Sequence, residues 1–108
     1  KCADLEEVTF CDTNVGDRGI ELLSACPELE IVRLEGTHAT DDGIVHLAKC
    51  PKLRFLEVAK MPINDAAIQR FVTIRTDVRL RLRSTNVTQD AVDELKRKHP
   101  GLEIDLLK

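Results

Sequence analysis

Hydrophobic residues recur along this chain at a fixed spacing of 24 residues. Four apolar columns share the spacing: Ile20, Ile44, Ile68 and Val92; Leu23, Leu47, Phe71 and Leu95; Phe10, Leu34, Val58 and Leu82; Val8, Val32, Leu56 and Leu80. A polar column follows the same grid and consists of Thr13, Thr37 and Thr85, with Met61 in the gap. A period of roughly 20 to 50 residues predicts stacked supersecondary units.

Each unit contains two apolar patterns in succession. Val32 and Leu34 alternate with outward positions, which predicts a short strand with one buried face. Ile44, Leu47 and Ala48 then fall at i, i+3 and i+4, which is the stripe of a short helix. Because neither element can bury its apolar side alone, we expect an α/β fold with a layer of parallel strands and a layer of helices.

The starts of the helices are also predicted. Candidate N-caps occupy one column, which contains Gly16, Thr40, Asn64 and Thr88. Acidic residues follow closely at positions 17, 41, 42, 65 and 90, where a carboxylate complements the helix dipole.

The turns between these elements resemble those of leucine-rich repeat proteins. The segments Glu35-Gly-Thr-His-Ala-Thr-Asp-Asp-Gly-Ile44 and Thr85-Asn-Val-Thr-Gln-Asp-Ala-Val92 are similar to a Gly-Thr-x-Ile-Thr-Asp-x-Gly-Leu turn of short bacterial repeats. Such repeats are known especially from planctomycete-like genomes. The resemblance spans essentially the whole chain and implies a solenoid shaped as a right-handed horseshoe. Its parallel sheet would line the concave face and its short helices the convex face. The family is a scaffold class, so the resemblance names no partner.

The grid predicts a single domain over 1–108 with about four repeats. Their bounds are 5–28, 29–52, 53–76 and 77–101, followed by a closing segment at 102–108. Because Cys2 precedes Cys26 by one period, the chain begins inside a repeat. We therefore expect the C-terminal part of a longer protein, with an upstream domain or further repeats.

Two positions depart from the grid. Asp77 stands where Leu29 and Leu53 open their strands, so we expect Val78 to turn inward instead. One extra residue precedes Leu102, and the loop before the last strand is expected to absorb it.

Composition narrows the classes of function. The chain has 108 residues and a formal net charge of −3, whereas nucleic-acid-binding domains usually carry a basic excess. No apolar run approaches the roughly 20 residues that a membrane span requires. The three histidines lie in unrelated columns, and no nucleophile, phosphate-loop or zinc motif is present. We therefore predict no enzymatic activity, no cofactor and no metal.

Three of the four cysteines share a column. These are Cys2, Cys26 and Cys50, whereas Cys11 stands apart. Buried free thiols are the favoured interpretation, with a disulfide between neighbouring repeats or a metal site as alternatives. Free thiols would favour a reducing compartment such as the cytoplasm.

The outward columns of the strands predict a binding surface. The central column reads Thr9, Arg33, Glu57, Arg81 and Asp105, with Glu7, Ile31, Phe55, Arg79 and Glu103 on one side and Cys11, Glu35, Ala59, Arg83 and Leu107 on the other. The alternating charges are compatible with a ladder of exposed ion pairs that keeps the sheet in register. Alternatively, exposed Ile31 and Phe55 form an apolar centre, with Arg79 over the ring and Arg83 unpaired.

We predict a module that binds a partner protein through this surface. The residues assigned to the contact are Ile31, Arg33, Phe55, Glu57, Arg79, Arg81 and Arg83. A structural spacer or a set of capping repeats is the main alternative. An arginine-mediated site for phosphate or nucleic acid is a further one.

Overall fold

The computed structural model describes residues 4–107. Within these residues five strands alternate with four helices. The strands are β1 (Glu7–Cys11), β2 (Ile31–Glu35), β3 (Phe55–Ala59), β4 (Arg79–Arg83) and β5 (Ile104–Leu107). The helices are α1 (Asp17–Leu23), α2 (Asp41–His46), α3 (Asp65–Ile74) and α4 (Gln89–Lys98), and a 3₁₀ turn, Leu47–Lys49, follows α2.

The strands form one parallel sheet in the order β1-β2-β3-β4-β5. Val8 pairs with Val32, and Leu80 pairs with Ile104, so that partners are 24 residues apart at both ends of the sheet. The spacing in the sequence is therefore the register of the strands. The predicted α/β class with a parallel sheet is confirmed, and the extra residue before Leu102 is absorbed without loss of register.

Alternate strand residues and the inner sides of the helices share one apolar core. Val32 and Leu34 of β2 are at most 1% exposed and belong to the same buried cluster as Ile44 of α2. On the first strand Val8 and Phe10 are only partly buried against this cluster. The residues at the alternate strand positions, such as 31, 33 and 35, lie on the other side of the sheet, which we call the open face. They are half-buried or exposed except for Ala59, which is 1% exposed.

The residue that follows each of the first four strands has a left-handed backbone. These residues are Asp12, Gly36, Lys60 and Ser84, with φ between 52° and 64°. Each donates its N–H to the carbonyl of the last residue of the next strand, from 2.7 Å at Asp12 to 3.4 Å at Ser84. Gly36 suits this conformation best, because glycine adopts positive φ without strain. A Cβ at this position would also lie 2.5 Å from the Asp12 carboxylate.

The threonine column closes the turn that comes next. The hydroxyls of Thr13, Thr37 and Thr85 accept the backbone N–H two residues further on, at 3.3 to 3.4 Å. At Met61, which lacks a hydroxyl, the corresponding N–H of Ile63 donates to the Met61 carbonyl at 2.8 Å. The polar column therefore satisfies backbone groups of the turns and does not belong to a binding site.

The helices begin where predicted, but most of the capping differs from the prediction. The N-cap residues are Gly16, Thr40, Asn64 and Thr88. Among their side chains, only that of Thr88 accepts an N–H of its own helix, from Ala91 at 3.2 Å. An acidic residue at the start of one helix also binds the N-cap residue of the next repeat: Asp17 accepts the N–H of Thr40 at 2.6 Å and its hydroxyl at 2.5 Å. Asp65 does the same for Thr88 at 2.7 and 2.8 Å.

The predicted distortion at the fourth strand is confirmed. Val78 is 2% exposed, whereas the side chain of Asp77 is 71% exposed. Arg75, just upstream, is only 16% exposed and donates to the carbonyls of Cys50 at 2.5 Å and Leu53 at 2.8 Å. Arg75 occupies the column in which prolines follow the cysteines, and α3 accordingly runs for 10 residues where α1 has 7. A largely covered arginine thus stands where the earlier repeats have the proline.

The cysteines only partly follow the favoured interpretation. Cys11 and Cys50 are free, and burial raises the pKa of the Cys50 thiol to about 11. Cys26 is disulfide-bonded, so the prediction of a free thiol is wrong for this residue. Cys26 therefore gives no support for a reducing compartment, and Cys2 lies outside the described residues.

Candidate binding surface on the open face of the sheet

The predicted outward columns are neighbours in space. In the central column Thr9 pairs with Arg33, Arg33 with Glu57, Glu57 with Arg81 and Arg81 with Asp105. Ile31 stands beside Phe55 and Phe55 beside Arg79 in the next column. These pairings place the predicted contact residues on one continuous surface.

The alternating charges of the central column form a chain of exposed ion pairs. Arg33 lies 2.7 Å from Glu7 and 3.6 Å from Glu57, and Arg81 lies 4.0 Å from the same Glu57. Their side chains are 22 to 54% exposed, so each pair contributes less than about 1 kcal/mol. Arg81 has the longest contact of the group and keeps most of its hydrogen-bonding capacity.

The cation over the aromatic ring is Arg33, and the prediction that it would be Arg79 is wrong. The Arg33 guanidinium carbon lies 5.6 Å from the centre of the Phe55 ring. Arg79 turns the other way and donates to Asp105 at 2.9 Å, a hydrogen bond that raises the pKa of Arg79. Ile31 and Phe55 are half-buried, and the expectation that they are exposed is also wrong, because neighbouring side chains cover part of each.

Arg83 is not unpaired, contrary to the prediction. Its Nη2 donates to Glu35 at 3.4 Å, although the two residues are 48 positions apart and belong to strands that are not adjacent. Ala59, which lies between them in the column, has a side chain too short to block the contact. Glu35 also lies 3.3 Å from Lys60, so two cations share one carboxylate.

Four of the predicted contact residues surround one depression of about 370 Å³. It is lined by Ile31, Arg33, Arg54, Phe55, Arg79 and Glu103, and we call it the arginine-rimmed depression. Glu57, Arg81 and Arg83 do not line it. Sequence reasoning missed Arg54, because this residue precedes β3 and therefore lies outside the alternating columns.

A second depression of about 190 Å³ lies further along the same strands. Glu35 and Glu57 line it together with core residues such as Leu34, and Arg33 borders both depressions. We call it the glutamate-rimmed depression. The two depressions therefore adjoin at Arg33, and the carboxylates of the second are paired with cations of the open face.

Other kinds of site have less support in the described part of the chain. Among residues 4–107 no group of three or more His, Cys, Asp or Glu side chains is arranged to hold a metal ion. None of the helices described is both long and apolar enough to cross a bilayer. Exposed apolar side chains also occur on the helices, at Leu22 and Ile74, but each stands alone.

Comparison with known proteins assigns neither a family nor a function to this chain. No protein-family model matches this chain, and no curated protein matches it either. The case for a function therefore rests on the geometry of the open face.

Proposed function

We propose that this chain is a leucine-rich repeat solenoid and that the open face is its concave side. The strands stack in a register of 24 residues, and each of the first four is followed by a helix on the same side of the sheet. Both features are those expected of repeats that bury a shared core by stacking. A concave sheet would bring the side chains of successive strands together around a ligand.

We further propose that the open face binds a partner protein. The observation that carries this proposal is the arginine-rimmed depression, in which arginines surround the apolar pair Ile31 and Phe55. Centres of protein interfaces favour aromatic residues and arginine. Both side chains offer a large contact area, and neither carries a compact, strongly hydrated charge. The arrangement contains no residue set for covalent or metal chemistry, and we propose no enzymatic activity.

The alternatives predicted from the sequence have weaker support. The formal net charge of −3 disfavours a ligand as densely charged as a nucleic acid, because domains that bind nucleic acids usually carry a basic excess. A purely structural spacer would account for the ion pairs. It would not account for a half-buried apolar pair left open to solvent beside them.

The test compares the proteins captured by a variant of the open face with those captured by a control variant on α1. A Phe55→Ala, Arg79→Ala variant alters the open face, whereas Leu22→Ser alters an exposed side chain on α1. We expect the first variant to lose the proteins that wild type retains from a lysate of the source organism, and the second to keep them. A partner profile that is the same for wild type and the open-face variant would refute binding through this face.

A further inference from the structure

Each arginine of the arginine-rimmed depression is oriented by a carboxylate that lies outside the depression. One N–H of each guanidinium donates to it: Arg33 to Glu7 at 2.7 Å, Arg54 to Glu30 at 2.8 Å and Arg79 to Asp105 at 2.9 Å. None of these three carboxylates lines the depression. The guanidinium groups are therefore positioned before a ligand arrives, which lowers the entropy lost on binding.

Most of the donors on these arginines remain available. A guanidinium carries five N–H donors, and one of them is used in each of these hydrogen bonds. The three side chains are 41, 64 and 52% exposed, so a ligand can reach the others. The acidic residue on the rim is Glu103. Because each arginine is paired with a carboxylate just outside the depression, the depression offers oriented hydrogen-bond donors and not an excess of positive charge.

The floor of the depression is apolar. Ile31 and Phe55 are register partners on neighbouring strands, and both are half-buried. The Arg33 guanidinium covers part of the ring at 5.6 Å, so a ligand side chain resting on the floor contacts carbon below and guanidinium groups at its sides. A volume of about 370 Å³ is near the lower end of the range for small-molecule pockets and suits one or two protein side chains.

The neighbouring depression offers different groups to a chain laid along the strands. Phe55 and Ala59 mark the two ends of β3, and an extended chain covers the same span of about 13 Å in four residues. A segment laid along β3 would meet cations at one end and the carboxylates of Glu35 and Glu57 at the other. The carboxylates of Glu35 and Glu57 are already paired with cations of the open face, so that end carries no net negative charge. A ligand carboxylate is matched best by the available guanidinium donors near Phe55.

We propose that the arginine-rimmed depression binds an extended segment of a partner protein in which an apolar side chain stands next to one or more carboxylates. This inference rests on the proposed protein-binding function and adds the chemistry of the partner. Carboxylates match guanidinium groups because both are planar and can form paired hydrogen bonds. A neutral segment would cover the remaining N–H donors without replacing the hydrogen bonds that they make to water, and this costs free energy.

A selection from phage-displayed random peptides tests the inference with wild-type protein as bait. The peptides retained should carry an aliphatic or aromatic residue beside Asp or Glu. One such peptide is then compared, by fluorescence anisotropy, with a counterpart in which its acids are replaced by Asn or Gln. We expect the amide counterpart to bind at least about tenfold more weakly, which corresponds to one charge-assisted hydrogen bond.

Two variants of the protein should reproduce this loss. Arg54→Gln and Arg79→Gln are each expected to weaken the acidic peptide about tenfold and to leave the amide peptide nearly unchanged. Arg97→Gln, an exposed arginine of α4, is the control with the same change of charge and should bind both peptides as wild type does. Thermal unfolding of every variant establishes that a weakened affinity does not come from a lost fold.

The outcomes separate this inference from the proposed function. The inference is wrong if the selected peptides require Phe55 but carry no acidic residue. It is also wrong if the acidic and amide peptides bind with equal affinity. Either result would leave the proposed function standing. Equal weakening of both peptides by the arginine variants would also overturn the inference. If no selected peptide loses affinity for a Phe55→Ala variant, both the inference and peptide binding through the open face are wrong.

Discussion

Arg75 is the surface-reaching side chain whose removal should destabilise the fold most. It joins two repeats, since it follows α3 and binds the carbonyls of Cys50 and Leu53 in the preceding turn. It also donates to the Asp77 carboxylate at 2.7 Å, and this hydrogen bond lowers the pKa of Asp77. An Arg75→Ala variant would leave the two carbonyls without these donors and would remove a side chain that is 16% exposed.

The size of the effect follows from the two short hydrogen bonds. A hydrogen bond from a charged donor contributes roughly 1.5 to 3 kcal/mol, and water that reaches the exposed edge of the site recovers part of it. We therefore expect Arg75→Ala to lower the free energy of unfolding by about 2 to 4 kcal/mol. For a domain of this length the loss corresponds to a fall in Tm of about 8 to 16 °C. The pair with Asp77 adds little, because that carboxylate is 71% exposed.

Urea unfolding followed by circular dichroism measures this loss. Arg70→Ala is the matched control, since Arg70 is 53% exposed and makes one ion pair, to Asp42 at 2.9 Å. The control should lose less than about 1 kcal/mol, and Arg75→Lys should fall between the two variants because an ammonium cannot replace the planar fork. If Arg75→Ala and Arg70→Ala lose the same free energy at an unchanged m value, Arg75 does not brace the preceding turn.

Two further predictions concern the turns and the helix starts. Gly36→Ala should lower the stability by about 1 to 2 kcal/mol, because Gly36 has φ of 64° and a Cβ there meets the Asp12 carboxylate. Gly101→Ala, with no atom within 4 Å of the added Cβ, should change Tm little, and similar losses for the two variants would contradict the steric argument. Burial raises the pKa of Asp17, but hydrogen bonds from the Thr40 side chain and backbone outweigh it and hold the pKa below its usual 3.8. A lowered pKa stabilises the fold above the unfolded value, so Asp17→Asn should be less stable than wild type at neutral pH. The difference should begin to shrink as the pH falls to the unfolded value of 3.8 and should be lost only below the lowered pKa of the folded state; a constant difference would refute this role.

The sheet could be predicted from the sequence because its constraints are repeated. Each buried position occurs once in every repeat, so that four columns report the same register independently, and the pairing of Val8 with Val32 agrees with the pairing of Leu80 with Ile104. Even the departure at Asp77 was informative, since only one neighbouring residue, Val78, can bury an apolar side chain there. A repeated environment turns a weak local signal into a strong one.

The contacts on the open face were harder to predict because they depend on the reach of individual side chains. A column of equivalent positions suggests contacts between neighbours, yet Arg83 passes Ala59 to reach Glu35. The choice of Arg33 for the Phe55 ring likewise depends on which carboxylate holds each arginine. Long side chains on a sheet have several partners of similar energy within reach, and the grid does not distinguish among them.

For the helix N-cap residues, the sequence predicts the position but not the hydrogen-bond partner of the side chain. Thr40 occupies a helix N-cap, as its residue type predicts, yet its hydroxyl donates to Asp17 of the preceding repeat at 2.5 Å. An isolated helix would use the same hydroxyl to accept an N–H from its own first turn. Stacking supplies a carboxylate one repeat earlier, and a charged acceptor forms the stronger hydrogen bond. The repeat therefore changes the use of a residue that local rules had placed correctly.

The carboxylates of the open face differ from those at the helix starts in the groups that they bind. Carboxylates at the helix starts bind groups that recur in successive repeats, as Asp17 and Asp65 do, and so they stabilise the stack. Carboxylates around the arginine-rimmed depression bind arginines that do not recur in one column, because Arg33, Arg54 and Arg79 come from three different columns. Stacking alone does not require three guanidinium groups to meet around Phe55. Their convergence is the feature that a binding function explains and that a spacer does not.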